Sequence, residues 1–119
     1  MRSIIRSNGQ LSDLRVSLRR DLADPGVGEK VIDDFVTAVN EVVSAALSTG
    51  EIGSASVEVR WLRRTQPRVE LYAEIRNTAG TPTALLREGI VARLLHHCAD
   101  RVDVQERIGG SVITIRSVV

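Results

Sequence analysis

The feature of this 119-residue chain that most constrains its fold is a long helical pattern between residues 29 and 48. Apolar side chains recur there at steps of three and four residues, which places them on one face of an α-helix. That face consists of Ile32, Phe35, Val36, Val39, Val42, Val43, Ala46 and Leu47. The other face holds Thr37, Glu41, Ser44, Ala45 and Ser48. The pattern predicts a helix built for burial that carries a lone carboxylate, Glu41, among small residues.

Shorter patterns before this helix predict two further elements. Residues 3–7 form a short predicted strand. A first helix follows the Ser12-Asp13 start signal, with Leu11, Leu14, Val16, Leu18 and Leu22 at mostly helical spacing. Proline and glycine in residues 24–28 then break the chain, so the second helix is expected to run from near Glu29 to about Ser48.

After residue 56 the apolar period changes to two, the spacing of a strand with one buried face. Residues 57–61 and 69–75 alternate in this way around a turn at 65–67, which predicts an antiparallel hairpin. A third helix ending near Ala99 is predicted from an inner stripe of Leu85, Leu86, Ile90, Val91, Leu94 and Leu95. A second hairpin has arms at 101–106 and 111–118, joined through Gly109-Gly110, where glycine allows the positive φ of a tight turn.

The predicted order of elements is β-α-α-β-β-α-β-β. Because the strands pair mostly as local hairpins, we expect an α+β two-layer sandwich: a mainly antiparallel mixed sheet covered on one face by three helices. A chain of this length forms one core, so residues 1–119 are predicted to be a single domain.

Composition limits the classes of function. Hydrophobic residues at 43% and charged residues at 26% are typical of a soluble globular domain. No apolar run approaches the roughly 20 residues of a membrane-spanning helix. The N-terminus lacks an apolar signal segment, and the one cysteine, Cys98, cannot form an internal disulfide. We therefore expect a cytoplasmic protein with no membrane partner.

The sequence contains a group of arginines and a group of potential metal ligands. We predict neither a nucleic-acid site from the first nor a metal site from the second. The net charge is +1, and the arginines are interleaved with acidic residues. The first hairpin carries Arg60, Arg63, Arg64 and Arg68, but at 3% aromatic residues the chain lacks stacking platforms, so a solvated rim is favoured over phosphate contacts. Neighbouring side chains of His96-His97-Cys98 point about 100° apart on a helix and cannot converge on one ion.

Four short motifs follow the predicted elements in order. They are Glu41 with Ala45 one helical turn later, Asn77-Thr78-Ala79-Gly80 after a strand, Gly89-Ile90 on the third helix, and Gly110-Ser111 at the last strand. Together with the element order, they resemble the bacterial anti-sigma-factor serine kinase family. That family has the Bergerat fold, which it shares with histidine kinases and gyrase-type ATPases (the GHKL group). The resemblance covers essentially the whole chain.

The resemblance implies a role for the polar face of the second helix. Glu41 would position or activate the group that attacks ATP. The family's magnesium-binding Asn is replaced by Ala45, so magnesium would need Ser44 or a water as a substitute ligand. The ordinary alternative for Glu41 is a solvated residue on an exposed helix face.

The remaining motifs would surround the nucleotide. Asn77 replaces the carboxylate that accepts a hydrogen bond from the adenine amine, and Ser111 keeps a hydroxyl on the adenine side. Gly80 and Gly89 remain from glycine motifs that let the backbone approach the base and cradle phosphates. The ordinary alternatives are a turn-capping Asn and glycines that serve a loop and a helix start.

The changes at Ala45 and Asn77 predict a weak nucleotide site. Each removes about 1.5 to 3 kcal/mol if the family's group would have been buried. Together they weaken binding on the order of a hundredfold to ten-thousandfold. We therefore expect no bound cofactor, with ATP and magnesium held weakly if at all.

These expectations favour an anti-sigma-type regulatory protein that acts by binding a sigma factor or its small antagonist, with kinase activity impaired or lost. Two alternatives stay open: an active ATP-dependent serine-protein kinase with Glu41 as the base, and a small α/β interaction module without nucleotide. A homodimer is also open. The expected contact surface is a mixed-charge patch on the first two helices: Arg15, Arg19, Arg20, Asp33 and Asp34.

Overall fold

The computed structural model describes residues 1–48, 56–77, 89–107 and 110–119. Within these ranges the elements, in chain order, are β1 (Arg2–Ile5), α1 (Leu11–Leu22), α2 (Glu29–Ser48), β2 (Val57–Arg64), β3 (Glu70–Asn77), α3 (Gly89–Cys98), β4 (Arg101–Arg107) and β5 (Gly110–Val118). A short 3-10 turn, Asn8–Gln10, precedes α1. The predicted order of strands and helices is confirmed.

The strands form one sheet in the order β1-β2-β3-β5-β4. Every neighbouring pair among these strands is antiparallel, so the sheet is more regular than the mixed sheet that was predicted. Helix α2 contacts α1, α3 and the strands β2, β3 and β5. The α+β two-layer fold with three helices on one face is therefore confirmed.

The core lies between the helices and the inner face of the sheet. Alternating residues of β2, β3 and β5 point inward and are buried, as their period of two predicts. From α2, the fully buried side chains are those of Phe35, Val36, Ala38, Val39, Val42, Val43 and Ala46. The apolar face predicted for this helix thus forms the centre of the core.

Two cross-strand rows on the inner face mark the ends of the sheet. At the Ser111 end, Val57, Asn77, Ser111 and Glu106 are aligned across β2, β3, β5 and β4. At the Ser117 end, Arg63, Leu71 and Ser117 are aligned across β2, β3 and β5.

The direction of α2 follows from the residues near its start. Val31 and Asp34 line one pocket together with Ser117 and Val118, so the first half of the helix lies over the Ser117 end. Twenty helical residues span about 30 Å, which matches the length of nine-residue β5. The second half of α2 therefore extends toward the Ser111 end.

The structure corrects three details of the predicted elements. Strand β1 covers Arg2–Ile5 rather than residues 3–7. Val16, expected on the inner stripe of α1, is 60% exposed because it lies about 200° around the helix from buried Leu14. Ile90, expected on the inner stripe of α3, is 84% exposed. Ala92, Leu95 and Cys98 form the buried face of that helix, while Leu85 and Leu86 lie outside the described residues.

No helix within the described ranges is long and apolar enough to cross a membrane.

Candidate functional site

Two of the residues predicted to surround a nucleotide lie side by side. Asn77 on β3 and Ser111 on β5 are direct cross-strand partners in the Ser111 row, and both are 3% exposed. Directly opposed residues on one face have Cβ atoms about 4.5 to 5.5 Å apart. Each of the two residues takes part in a hydrogen bond or electrostatic interaction. The structure therefore brings an amide and a hydroxyl together, under the helical layer, at one end of the sheet.

The polar face of α2 extends toward the same end. Glu41 and Ser44 are half-buried, and Ala45 is 8% exposed. The Oγ of Ser48 donates to the Ala45 carbonyl at 2.8 Å, which satisfies one of the carbonyls left over at the helix C-terminus. The position expected to hold a magnesium-binding Asn is thus a buried methyl group.

The side of α2 that carries Glu41 faces α3. The pKa of the Cys98 thiol on α3 is raised by burial and by the charges of Asp34 and Glu41, while Lys30 lowers it. These α2 residues are therefore close enough to α3 to act on its buried thiol. A buried thiol with a raised pKa is a poor nucleophile, so Cys98 serves packing.

The glycine positions contribute less to the site. Gly89 has φ of 82°, a left-handed conformation that favours glycine, and it is the first residue of α3. This conformation accounts for a glycine at this position without any ligand. Gly80 lies outside the described residues.

One site neighbour was missed by sequence reasoning. Glu106 on β4 is the cross-strand partner of Ser111, so this exposed residue lies beside Ser111 on the same face of the sheet. The alternation of Val102, Val104 and Glu106 was a usable signal, because every second residue of a strand shares one face. Periodicity does not identify the neighbouring strand, and that strand was needed to place Glu106 next to Ser111.

Among the described residues, the position predicted to bind magnesium offers no ligand for it. Magnesium is held by oxygen ligands, usually carboxylates together with phosphates and waters. Ala45 supplies no side-chain oxygen at the predicted metal position, and its methyl group is buried. Asn77 and Ser111 fit hydrogen bonding to a base edge better, since an amide and a hydroxyl both donate and accept.

No group of three or more His, Cys, Asp or Glu residues in the described part of the chain is placed to hold a metal ion. His96 and His97 are exposed at the end of α3, and Cys98 is buried beneath them. The three consecutive side chains diverge, as their helical spacing predicts.

The charged residues expected to form a contact surface are largely engaged within the molecule. Arg15 donates to Asn40 Oδ1 at 2.8 Å, and Arg19 pairs with Asp33 at 3.3 Å. Both contacts join α1 to α2. Arg20 pairs with Asp21 and Lys30 with Asp34. Some of these residues therefore hold α1 and α2 together.

The arginines of the first hairpin lie on two faces of the sheet. Arg63 points toward the helices and donates to the carbonyls of Leu22 and Ala23. Arg60 and Arg64 face outward and Arg68 lies in the turn: Arg60 pairs with Glu58, Arg68 pairs with Glu70, and Arg64 lies 5.7 Å from the centre of the Tyr72 ring. These four residues do not form one basic surface.

Comparison with protein-family models and with curated proteins gives no match. Among solved structures, the chain is similar to the RsbU and RsbW domains of Rv1364c from Mycobacterium tuberculosis, with a TM-score of 0.69 and 17% identity. The similarity covers 99% of this chain and 32% of that one. This chain has the histidine-kinase-like ATPase fold.

Two further structures support that assignment. One is the histidine kinase domain of the blue-light activated histidine kinase EL346 from Erythrobacter litoralis, with a TM-score of 0.62 and 15% identity over 92% of this chain and 63% of that one. The other, EL346 blue-light activated histidine kinase, has the same TM-score and identity over 96% of this chain and 42% of that one. At 15–17% identity the similarity establishes the fold, and this chain spans 32–63% of the matched chains.

Proposed function

We propose that this protein is an anti-sigma-type regulator that acts by binding a protein partner and has a degenerate nucleotide site. The observation that supports the proposal most directly is the buried methyl group of Ala45 on α2, one turn after Glu41. A kinase of this fold needs a positioned, metal-bound triphosphate before a general base such as Glu41 has anything to act on.

The fold supports a regulatory role of this kind. The chain aligns over 99% of its length with a structure that contains an RsbW domain. Binding a sigma factor or its small antagonist requires a complementary surface and no chemical step. We therefore propose that the protein binds a partner of this class without transferring a phosphoryl group to it.

Titration calorimetry with ATP and magnesium tests the degenerate site. We expect no saturable heat, or a dissociation constant weaker than about 10 μM, which corresponds to roughly 7 kcal/mol of binding. Tighter binding would overturn the idea of a degenerate site. A parallel titration without magnesium separates the two losses, because Asn77 and Ser111 concern the base and Ala45 concerns the metal.

Co-purification from the native host followed by mass spectrometry tests the partner class. A sigma factor or a small antagonist is the expected result. Recovery of only further copies of this chain would favour a homodimer in place of the proposed partner.

A second candidate function is an active serine-protein kinase. The Asn77–Ser111 pair favours it, because these buried polar side chains keep two hydrogen-bonding groups where the resemblance puts adenine. Transfer of labelled γ-phosphate to the co-purified partner distinguishes the two functions. A kinase would transfer label and lose that activity in Glu41→Gln, whereas a binding protein would retain the partner without labelling it.

A further inference from the structure

The face of the sheet that points away from the helices, which we call the outer face, carries an excess of arginine. It consists of the strand residues that alternate with the buried ones. Six arginines at this face form ion pairs with four carboxylates, those of Glu58, Glu70, Glu74 and Asp103. Two more, Arg64 and Arg107, contact uncharged side chains instead.

This excess is local to the outer face. Eight arginines against four carboxylates give the described part of the face a net charge of +4. The net charge of the whole chain is only +1, so everything outside this face carries −3. A charged partner therefore meets two sides of opposite sign, and the sheet attracts anions.

The arginines also lie above the carboxylates. The side chains of Glu58, Glu70 and Glu74 are 12–21% exposed, whereas the five arginines that pair with them are 38–62% exposed. Glu58 pairs with both Arg2 and Arg60, so one buried acid holds two exposed bases. A chain that docks on this face would therefore contact guanidinium groups before it contacted carboxylates.

These guanidinium groups keep donors for a partner. Arg60, Arg76 and Arg101 each pair with their carboxylate through Nε. A guanidinium has five N–H donors, and within the described part of the chain the terminal nitrogens of these three residues have no other acceptor. Because two parallel N–H bonds match a carboxylate, each of the three can hold one from another chain.

The outer face has a shape that fits a peptide segment. A depression of about 360 Å³ lies over β1, β2 and β3, and one of about 330 Å³ lies over β3, β5 and β4. Both are lined by Tyr72 and Glu74, so they adjoin and together cross all five strands, a distance of about 19 Å. The first depression also contains Met1 and Leu62, whose exposed apolar surface suits an apolar side chain.

The chemistry of this face favours a polypeptide over a nucleic acid. A flat sheet has no element that can enter a DNA groove, and single strands are held by aromatic stacking platforms. Tyr72 is the one aromatic side chain of the described outer face, and Arg64 lies over its ring at 5.7 Å. An apolar depression among arginines instead matches an acidic segment that contains apolar residues.

We propose that the outer face is the partner-binding surface and that it binds an acidic segment of the partner, with an apolar side chain seated on Met1 and Leu62. The inference rests on the proposed partner-binding function and adds its surface and the charge of its partner. It places the contact on the side of the molecule opposite α1 and α2, where the mixed-charge patch was expected.

The first test measures binding of a peptide by fluorescence anisotropy at low ionic strength, since salt screens exposed charges. The probe is a fluorescein-labelled peptide of about twelve residues in which glutamates flank two leucines, long enough to cross the face. One control replaces each glutamate by glutamine, and another is an oligothymidylate of equal charge. We expect saturable binding of the acidic peptide alone. Equal binding of the glutamine peptide, or tighter binding of the oligothymidylate, would overturn the proposal.

Variants locate the binding face. The double change Arg60→Gln with Arg76→Gln should weaken peptide binding about tenfold, because it removes two forked donors. Its control is Arg93→Glu, which changes the net charge by the same amount at an exposed position of α3, in the helical layer. Circular dichroism checks that both variants fold. Equal weakening by the two would mean that general surface charge attracts the peptide, and would reject the outer face.

A change in the opposite direction provides an independent check. Glu74→Gln removes the carboxylate that holds Arg76 in both depressions, so peptide binding should strengthen about threefold. Asp13→Asn, at an exposed position of α1, adds the same charge away from the sheet and should have little effect. Weaker or unchanged binding in Glu74→Gln would contradict the proposed surface.

The last test uses the partner recovered by co-purification. The Arg60→Gln, Arg76→Gln variant should lose capture of this partner, and Arg93→Glu should retain it. If both variants retain the partner, its contact lies elsewhere, so the inference is wrong while the proposed function stands. If the natural protein recovers no partner, the proposed function fails, and the peptide measurements still decide whether the outer face binds acidic segments.

Discussion

The two ends of the sheet place the same residue type in the same structural position and surround it differently. Ser111 and Ser117 lie on one strand, face the same layer of helices, and are 3% and 5% exposed. Ser111 has Asn77 as its cross-strand neighbour, whereas Ser117 has Leu71. Ser111 takes part in a polar interaction, and the Ser117 hydroxyl has no hydrogen-bond partner in the described structure. Two serines that are almost equally buried therefore differ in their polar contacts, because different residues lie beside them on the neighbouring strand.

The largest expected effect comes from repairing the Ser111 end. The double change Ala45→Asn with Asn77→Asp restores a metal ligand and a charged acceptor, and calorimetry should show ATP affinity rising by at least about a hundredfold. Each single change should do less. If the double variant folds normally by circular dichroism and gains no affinity, the correspondence of these two positions to the family's site is wrong.

The next effect concerns Arg63, which holds α1 to the sheet at the Ser117 end. Arg63→Met keeps the aliphatic stem but loses the bonds to the Leu22 and Ala23 carbonyls, so we expect a loss of about 2 kcal/mol in unfolding free energy. Arg64→Met is the matched control, because Arg64 is the next residue and faces away from the helices; it should change stability by less than about 0.5 kcal/mol. Urea denaturation measures both. Equal losses would mean that the Arg63 contacts do not stabilise this end.

A smaller, pH-dependent effect is expected from Asp21 on α1. Burial alone would raise the pKa of its carboxyl, but hydrogen bonds from Trp61 and Arg20 and nearby positive charges lower it below the ordinary 3.8. The Trp61 Nε1–H bond to Asp21 Oδ2 is 2.9 Å long. Because the folded-state pKa is depressed, this contribution is fully present above the unfolded value and disappears as the pH falls through the folded value.

Asp21→Asn keeps an oxygen that can accept from Trp61 and removes the charge. The variant should lose about 1 kcal/mol at pH 7 and show a flatter decline of stability in acid than the natural protein. Thermal unfolding between pH 7 and pH 2 measures the difference. Asp13→Asn, at an exposed position near the start of α1, provides the comparison. A decline as steep as that of the natural protein would exclude Asp21 as its source.

The smallest effect tests the comparison of the two serines directly. Ser111→Ala removes a buried hydroxyl that lies beside Asn77 and should cost about 1 kcal/mol. Ser117→Ala removes a hydroxyl without a hydrogen-bond partner in the described structure and should leave the unfolding free energy unchanged or slightly higher. Chemical denaturation of the two variants side by side is sufficient. The reverse order would contradict the distinction between the two ends.

Local patterns predicted the elements closely, because apolar period and chain breaks are properties of short segments. Helix α2 was expected from near Glu29 to about Ser48, and the structure has it at Glu29–Ser48. The hairpin arms were placed to within three residues. The same reasoning misplaced Ile90, because its spacing matches the stripe of α3 while its position in the first turn leaves it exposed.

Contacts between distant segments were beyond that reasoning. A period of two shows which face of the sheet Asn77 and Ser111 each occupy, but it does not show that their strands are neighbours. The two residues are adjacent because β5 lies between β3 and β4. The pocket at the Ser117 end combines residues separated by more than 80 positions in the chain, from Val31 to Val118. The resemblance to a known family supplied the first of these relations and gave no indication of the second.

The central position of α2 has a consequence for the motions of the molecule. The apolar side chains of its middle turns are fully buried, and the helix contacts two other helices and three strands, so its backbone cannot open without dismantling the core. Amide hydrogens from Val36 to Val43 should therefore exchange with deuterium only through global unfolding. Asp34 and Ala45 both lie on this rigid helix, near opposite ends of the sheet. Their positions relative to each other therefore stay fixed in every folded state.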